Sequence, residues 1–234
     1  MRIAIIAALP GELKPLVRGW ERVSSPTRGI SVWIKSAGDD EYVAVCGGMG
    51  ATAAMRSFAA AEHVGSLDMA LSVGWAGALD NSIEAGQCYI ATEVIDVLTG
   101  EHFSLADSAP KLRLVTTAHV ADETEKTRLR NSYGAQLVDM EAAAIARLAQ
   151  IRDIPVHCFK AVSDAHDVNL PNLNLFIDDM GQIRMPAFLG HVALRPQYWG
   201  SLIKMGSATS KAARTLAAAI TEFLDHIRTG AVEQ

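Results

Sequence analysis

The sequence predicts a three-layer α/β fold built on a central mixed sheet. Short apolar runs of strand length alternate along the chain with helical patterns. Several of these runs are apolar on both faces, as are strands covered by helices on both sides. Half of the 234 residues are hydrophobic, enough for one large core, so we expect a single domain over residues 1–234.

Seven apolar runs have the length and composition of strands. The predicted strands are Ile3–Ala8, Ser31–Lys35, Tyr42–Cys46, Met69–Val73, Cys88–Val97, Leu112–Thr117 and Val156–Val162. The second and third runs follow each other closely, as the two strands of an antiparallel hairpin do. A mixed sheet, largely buried, is therefore expected.

Five segments have helical patterns and lie between or after the strands. The predicted helices are Gly11–Gly19, Ala51–Val64, Asp122–Asn131, Glu141–Ile151 and Ser201–Ile227. Helices placed in this way cover both faces of a sheet. The least regular segment is Asn169–Trp199, which contains a possible hairpin at Asp179–Gln182. A loop of this length often covers a site, although a packed excursion without a role is an equal alternative.

Composition narrows the classes of partner. The formal net charge is −5 with both signs scattered along the chain, so neither a basic face for nucleic acid nor a polybasic membrane patch is evident. The apolar start is too short for a signal peptide, and no run of about 18 apolar residues occurs. We expect a cytoplasmic protein without stable membrane insertion that binds a small molecule.

Cysteine and histidine spacing argues against a disulfide framework and a metal site. Cys46, Cys88 and Cys158 all lie in apolar runs and are expected to be reduced core residues. The seven histidines form no pair or cluster at metal-ligand spacing, so no metal is predicted.

Three acids follow apolar runs at points where strands are expected to end. Glu12 comes after the first run, Glu141 ends the run that starts at Leu137, and Asp164 ends the last predicted strand. Ligands of open α/β sheets bind beyond the carboxyl ends of strands. The three acids together therefore indicate one polar pocket.

Each acid also has a purely structural explanation. Glu12 and Glu141 are expected in the first turn of a helix, where the helix dipole favours a carboxylate, and Asp164 could cap a turn. Taken singly, these explanations are sufficient. Only the coincidence of three such acids favours a functional site.

A glycine-rich loop offers a rival interpretation from another functional class. Gly48–Ala53 fits the G-x-G-x-x-A pattern of dinucleotide-binding proteins, which makes a nucleotide-binding protein an alternative. That pattern normally follows the first strand of a βαβ unit, whereas this loop follows the third apolar run. A second glycine-rich element, Val73–Gly77, allows close approach of a flat ligand or an unusual turn.

Four motifs in order resemble the nucleoside phosphorylase and nucleosidase family, and in particular its 5′-methylthioadenosine/S-adenosylhomocysteine nucleosidase branch. They are Ile3–Glu12, the V-G-W-A-G of Val73–Gly77, the V-D-M-E-A of Val138–Ala142 and the A-V-S-D of Ala161–Asp164. The resemblance covers about residues 1–165. It implies cleavage of a purine N-glycosidic bond without a cofactor, in a homodimer.

The resemblance also assigns roles to the acids. Glu141 would accept hydrogen bonds from the ribose hydroxyls while the backbone of Met140 lies against the sugar. Asp164, oriented by Ser163, would donate a proton to N7 of the base, and such an acid must keep its proton near neutral pH, which a desolvated site favours. Glu12 would activate the attacking water. Asp139 would be a structural neighbour.

The remaining candidates for contact with the substrate are Met49, Gly74, Trp75, Gly77, His119 and Val120. The two glycines would let the backbone approach the base, and the histidine and valine would lie beside it. The tryptophan either stacks on the base or fills core space.

The resemblance favours hydrolysis but leaves the reaction and the substrate open. Phosphorylases of this family hold phosphate with an arginine just before the glycine-rich strand end, where this chain has Leu71 and Ser72. Lys14, Arg18 and Arg56 could still serve a purine nucleoside phosphorylase. After Asp164 the chain resembles hopanoid-associated members, which remove adenine from adenosylhopane, and futalosine hydrolases form a third branch with the same chemistry.

Overall fold

The computed structural model describes residues 1–106, 112–166 and 171–230, and within them the chain forms one mixed sheet of eleven strands. The strands are β1 (Arg2–Ala7), β2 (Glu21–Val23), β3 (Ser31–Ala37), β4 (Asp40–Cys46), β5 (Met69–Ala78), β6 (Cys88–Ala91), β7 (Glu93–Asp96), β8 (His102–Ser104), β9 (Arg113–Thr116), β10 (Leu137–Asp139) and β11 (Val156–Asp164).

The long strand β5 is the centre of the sheet. It pairs in parallel with β1 along one edge and with β11 along the other, so the carboxyl ends of all three strands meet at one side. β10 pairs with the last residues of β5 in antiparallel orientation and brings its own end to the same place. The strand ends that carry the predicted acids are therefore neighbours.

Six α-helices occur in the described residues, together with two 3-10 helices at Leu173–Phe176 and Pro196–Tyr198. The α-helices are α1 (Pro10–Leu13), α2 (Ala51–Val64), α3 (Glu123–Tyr133), α4 (Ala142–Ile151), α5 (Met185–Ala193) and α6 (Trp199–Gly230). Among them, no helix combines the length and the apolar character that crossing a bilayer requires.

Strand β1 shows how the helices form two outer layers. Alternate side chains of a strand point to opposite faces of the sheet. Ala4 and Ile6 pack in the cluster that includes Phe58 of α2, whereas Ile3 and Ile5 pack in the cluster with α6. The predicted three-layer α/β architecture is confirmed.

Several predicted elements differ from the structure for identifiable reasons. The predicted strand Cys88–Val97 is two strands, because β6 pairs with β11 while β7 pairs with β9. The predicted helix Gly11–Gly19 ends at Leu13, and Pro15 explains this, since proline has no N–H to continue the helical hydrogen bonds.

The irregular segment Asn169–Trp199 contains a helix that the sequence analysis missed. The first two residues of this segment lie outside the described part of the chain, and the missed helix, α5, occupies Met185–Ala193. The predicted hairpin at Asp179–Gln182 corresponds to a tight turn closed by an isolated bridge between Ile177 and Ile183. The three cysteines are free, as predicted.

Candidate active site

One cavity lies at the joint carboxyl ends of β1, β5 and β11, and ten of the eleven predicted site residues line it. These ten are Glu12, Met49, Trp75, Gly77, His119, Val120, Met140, Glu141, Ser163 and Asp164. The three acids therefore face one cavity. The sequence analysis missed other lining residues, above all Lys126 and Thr117.

Glu12 is held by three backbone N–H groups at the start of α1. Its Oε2 accepts from Ala8 at 2.9 Å and Leu9 at 2.7 Å, and its Oε1 accepts from Trp75 at 2.7 Å. Burial raises the pKa of Glu12, and the N–H groups of Leu9 and Trp75 oppose that rise. Glu12 lies in the first turn of α1, as expected, and its bond to the Leu9 N–H also caps that helix, so Glu12 is both a structural cap and a cavity-facing carboxylate.

Gly74 has a different role from the predicted contact with the base. It is absent from the cavity wall and has a φ of 141°, and a Cβ there would lie 2.8 Å from Oε1 of Glu12. Gly74 therefore leaves room for the Glu12 carboxylate. The neighbouring Trp75 packs against the core and also lines the cavity, and its stacking on a base stays a prediction.

Glu141 directly precedes α4, and its backbone carbonyl accepts from the Ile145 N–H at 3.2 Å. Its Oε1 accepts from the Gly50 N–H at 2.7 Å, while the N-terminus of the helix is capped by Asp139, whose Oδ2 accepts from Ala142 at 2.9 Å. The predicted place of Glu141 in the first turn of the helix is therefore wrong, because Glu141 lies before that turn and its side chain makes no capping hydrogen bond. The Glu141 carboxylate is left facing the cavity.

A buried lysine, Lys160, forms an ion pair with Asp139 close to Glu141. Nζ of Lys160 on β11 is 2.8 Å from Oδ2 of Asp139, and both side chains are almost fully buried. Burial alone would lower the pKa of the Lys160 ammonium, but Asp139, Cys158 and Glu141 together outweigh burial and raise it. Burial and Asp139 raise the pKa of Glu141 to about 8, against the opposing effect of Lys160.

Asp164 ends β11 with donors on both carboxylate oxygens. Ser163 Oγ donates to Oδ1 at 2.5 Å, and the Lys126 ammonium forms an ion pair with Oδ2 and donates to the Ala165 carbonyl at 2.9 Å. Both donors are suited to a carboxylate at this position. A Cβ at Gly77 would lie 3.2 Å from Cε of Lys126, so glycine gives this pair its space.

Lys126 reaches the cavity from α3, whose charged sequence is typical of a surface helix. It is nevertheless 4% exposed. Leu129 and Tyr133, three and seven residues further on, form the inward face of the same helix. Helical periodicity could therefore have placed Lys126 inward, although its partner 38 residues away is not visible in the sequence.

The backbone of the glycine-rich loop Gly48–Ala53 is in contact with another segment of the protein. The Met49 N–H donates to the Gly181 carbonyl at 2.8 Å, and a Cβ at Gly48 would lie 2.5 Å from the Met180 carbonyl oxygen. The Gly50 N–H donates to Glu141, so the backbone of this loop binds one acid of the cavity and the segment that contains Gly181. The geometry argues against a dinucleotide site here.

Part of the irregular segment covers the cavity. Asn174 exchanges two hydrogen bonds with the Val120 backbone, at 2.8 and 3.0 Å, and fixes the loop after β9. Leu173 and Ile183 line the cavity. Of the two explanations considered for Asn169–Trp199, covering a site is the one that this arrangement favours.

The cations considered for phosphate binding lie elsewhere. Lys14 and Arg18 line a separate depression beside Trp75, and Arg56 donates to the Met180 carbonyl at 2.9 Å. Among the described residues that line the cavity, Lys126 is the only lysine or arginine. In the same part of the chain, no group of three His, Cys, Asp or Glu side chains is arranged to hold a metal ion.

A family model described as the phosphorylase superfamily matches residues 2–119 and 112–188, which is most of the chain. The chain belongs to the phosphorylase superfamily. The predicted family resemblance is thereby confirmed. The cavity at the strand ends is accordingly the candidate active site of a phosphorylase-superfamily member.

Individual proteins that resemble this chain have low sequence identity to it. A 5′-methylthioadenosine/S-adenosylhomocysteine nucleosidase of Glaesserella parasuis is 25% identical, over 71% of this chain and 87% of that protein. The structure of futalosine hydrolase from Helicobacter pylori superposes with a TM-score of 0.73 at 14% identity, covering 97% of this chain and 98% of that one. The nucleosidase of the same organism, bound to butyl-thio-DADMe-Immucillin-A, gives 0.73 at 15% identity with the same coverage. These structures establish the fold.

Removing the buried cation tests the ion pair. We expect Lys160→Met to lower the free energy of unfolding by about 3–5 kcal/mol, because Asp139 would remain buried without its partner. The exposed Lys14→Met is the matched control and should change it by less than about 0.5 kcal/mol. Urea unfolding at neutral pH measures both, and similar losses in the two variants would contradict the prediction.

The raised pKa of Glu141 predicts a pH-dependent stability. Between the ordinary glutamate pKa of 4.5 and about 8, the folded protein binds a proton that the unfolded chain releases. Through this residue, the free energy of unfolding of the wild type therefore falls as the pH rises across that window. Glu141→Gln lacks this loss, so its stability relative to the wild type should increase up to about pH 8 and then level off.

Urea unfolding at a series of pH values measures this difference. Glu21→Gln, at an exposed glutamate, corrects for general effects of pH on the unfolded chain. A difference between Glu141→Gln and the wild type that stays constant from pH 5 to pH 8 would show that Glu141 is ionised throughout.

Proposed function

We propose that the protein hydrolyses the N-glycosidic bond of an adenine nucleoside altered at the 5′ position and releases adenine. The observation that carries the proposal is the convergence of Glu12, Glu141 and Asp164 on one cavity of a phosphorylase-superfamily fold. The nucleosidase name of the Glaesserella parasuis relative supports the reaction type. We further propose a homodimer in the cytoplasm that works without a cofactor.

The acids and their partners divide the chemistry between them. Cleavage leaves a cationic sugar and an electron-rich base, so the base needs a proton and the sugar benefits from nearby carboxylates. We assign proton transfer to N7 of the base to Asp164, whose carboxylate takes a proton from the Lys126 ammonium bound to it and passes it to the base, which leaves Lys126 neutral. Glu141 and the Met140 backbone hold the ribose. Glu12, held by three N–H groups, accepts the proton of the attacking water.

Water rather than phosphate is the proposed nucleophile. A phosphate dianion requires several cationic or N–H donors, usually including arginine. Lys126, the one lysine or arginine found on the cavity wall in the described part of the chain, is already paired with Asp164, and Arg56 is bound to the Met180 carbonyl. Glu12 supplies a base for water activation, which phosphorolysis does not need.

The 5′ substituent is proposed to be apolar near the ribose. Leu173, Ile183 and Met205 line the cavity together with the acids, and none of them offers a charged group to a substrate. Methylthio and homocysteine thioether groups both suit such a wall, as does a larger hydrocarbon. The names of the relatives include two kinds of substrate, 5′-methylthioadenosine/S-adenosylhomocysteine and futalosine. The assay of activity therefore compares several substrates.

Replacing the acid at the base should abolish most of the activity. We expect Asp164→Asn to lower kcat for adenine release by about 10²–10⁴, with little change in KM, because the amide cannot transfer the proton. The assay follows adenine released from methylthioadenosine, S-adenosylhomocysteine, adenosine and a 5′-alkyl adenosine, with and without phosphate. Asp39→Asn, an exposed change, is the matched control. A wild type that releases no base from any of the four would overturn the proposal.

Lys126 is proposed as a positioning residue and proton source for Asp164. Without it, Asp164 must take its proton from solvent, so Lys126→Met should lower kcat and move the alkaline fall of the pH–rate profile to lower pH. Lys126→Arg, which keeps a cation, should restore part of kcat. The profile of kcat against pH is decisive, since a lysine with only a structural role would lower kcat equally at all pH values.

A further inference from the structure

Helix α5 and the start of α6 leave large apolar side chains in solvent. None of the nine residues of α5 is buried. The exposed fractions are 48% for Met185, 58% for Leu189, 83% for Leu194, 50% for Trp199 and 74% for Ile203. These five residues are called the α5–α6 surface below. A group of exposed apolar residues usually marks a surface that contacts another molecule.

The α5–α6 surface is fixed in place by contacts beneath it. Phe188 and His191 pack edge-on against Phe176, with ring centroids 5.5 and 5.0 Å apart. The indole N–H of Trp199 donates to the Val192 carbonyl at 2.9 Å and ties α6 to α5. The apolar side chains therefore face outward from a packed unit.

The segment that carries this surface has basic residues and no acidic ones. Between Asp179 and Glu222 the sequence contains five lysines and arginines and neither aspartate nor glutamate, although the whole chain has a net charge of −5. Arg184, Arg195 and Lys204 directly adjoin apolar members of the surface in sequence. The charges, treated as scattered in the sequence analysis, are thus segregated along this part of the chain, and the same segment carries the exposed apolar side chains.

We propose that the α5–α6 surface docks on an anionic lipid bilayer. Apolar side chains with a tryptophan enter the boundary between headgroups and acyl chains, and neighbouring cations attract anionic headgroups. A second copy of the chain fits less well, because a two-fold contact would bring together two copies of a segment whose charged residues are all cationic. The docking is peripheral, at the surface of the bilayer.

The docked surface adjoins the cavity. Ile183 and Met205, which line the cavity, are two residues before Met185 and two residues after Ile203. Docking would therefore bring the cavity close to the bilayer. If the proposed nucleosidase function holds, this position suits a nucleoside whose apolar 5′ substituent resides in the membrane. This extension rests on the proposed function, whereas the docking itself does not.

Vesicle flotation of the full chain tests the proposal. We expect the protein to float with vesicles of phosphatidylcholine containing about one third phosphatidylglycerol, to bind neutral vesicles less, and to be released by high salt. Lys204→Ala should weaken binding about fivefold. The double variant Leu189→Glu, Ile203→Glu should abolish it. Leu98→Glu, at an apolar residue 83% exposed in the turn between β7 and β8, is the matched control and should bind normally.

Two results would overturn the docking proposal. One is a wild type that remains unbound to anionic vesicles at low salt, and the other is equal binding by the wild type and the double variant. If the wild type ignores vesicles while the double variant changes a dimer into a monomer in size-exclusion chromatography, the surface belongs to a second copy. Vesicle binding without adenine release from any nucleoside would overturn the proposed function and leave docking standing.

Discussion

The buried ion pair between Lys160 and Asp139 allows several carboxylates to share one small region of the interior. A charge removed from water requires a partner of opposite sign and hydrogen bonds to remain ionised. Lys160 supplies that charge from the central part of the sheet, and Asp139 in turn accepts from Thr116 Oγ1 at 2.7 Å and caps α4. Glu141 can then face the cavity, because its neighbour satisfies both the helix and the lysine.

The same site relies on backbone groups as much as on side chains. Three N–H groups hold Glu12, those of Gly50 and Met140 donate to Glu141, and glycine at position 74 gives Glu12 the space it occupies. Because these donors are backbone groups, holding the two acids costs the donors no side-chain entropy. A site of this kind holds its acids in place before substrate arrives, which is the condition for electrostatic stabilisation of a cationic sugar.

Local patterns were sufficient to predict much of the fold and the acids, and tertiary contacts explain what they missed. The helix Ala51–Val64 was predicted with its observed bounds, because its apolar periodicity and a preceding glycine are local signals. Glu12 and Asp164 were found because strand ends are visible in sequence. The partner of Asp164, Lys126, comes from a distant helix, and only the fold brings the two together. Helix α5 was missed because its apolar residues face outward, so it lacks the usual contrast between faces.

The nucleophile is the most direct test of the account, because Glu12 has a chemical role in hydrolysis that it lacks in phosphorolysis. The measurement is mass spectrometry of the ribosyl product formed in heavy-oxygen water with phosphate present. The account predicts free ribosyl product carrying one heavy oxygen at the anomeric carbon, in amounts equal to adenine, and a loss of that product in Glu12→Gln. Formation of a ribosyl phosphate in amounts equal to adenine would contradict it.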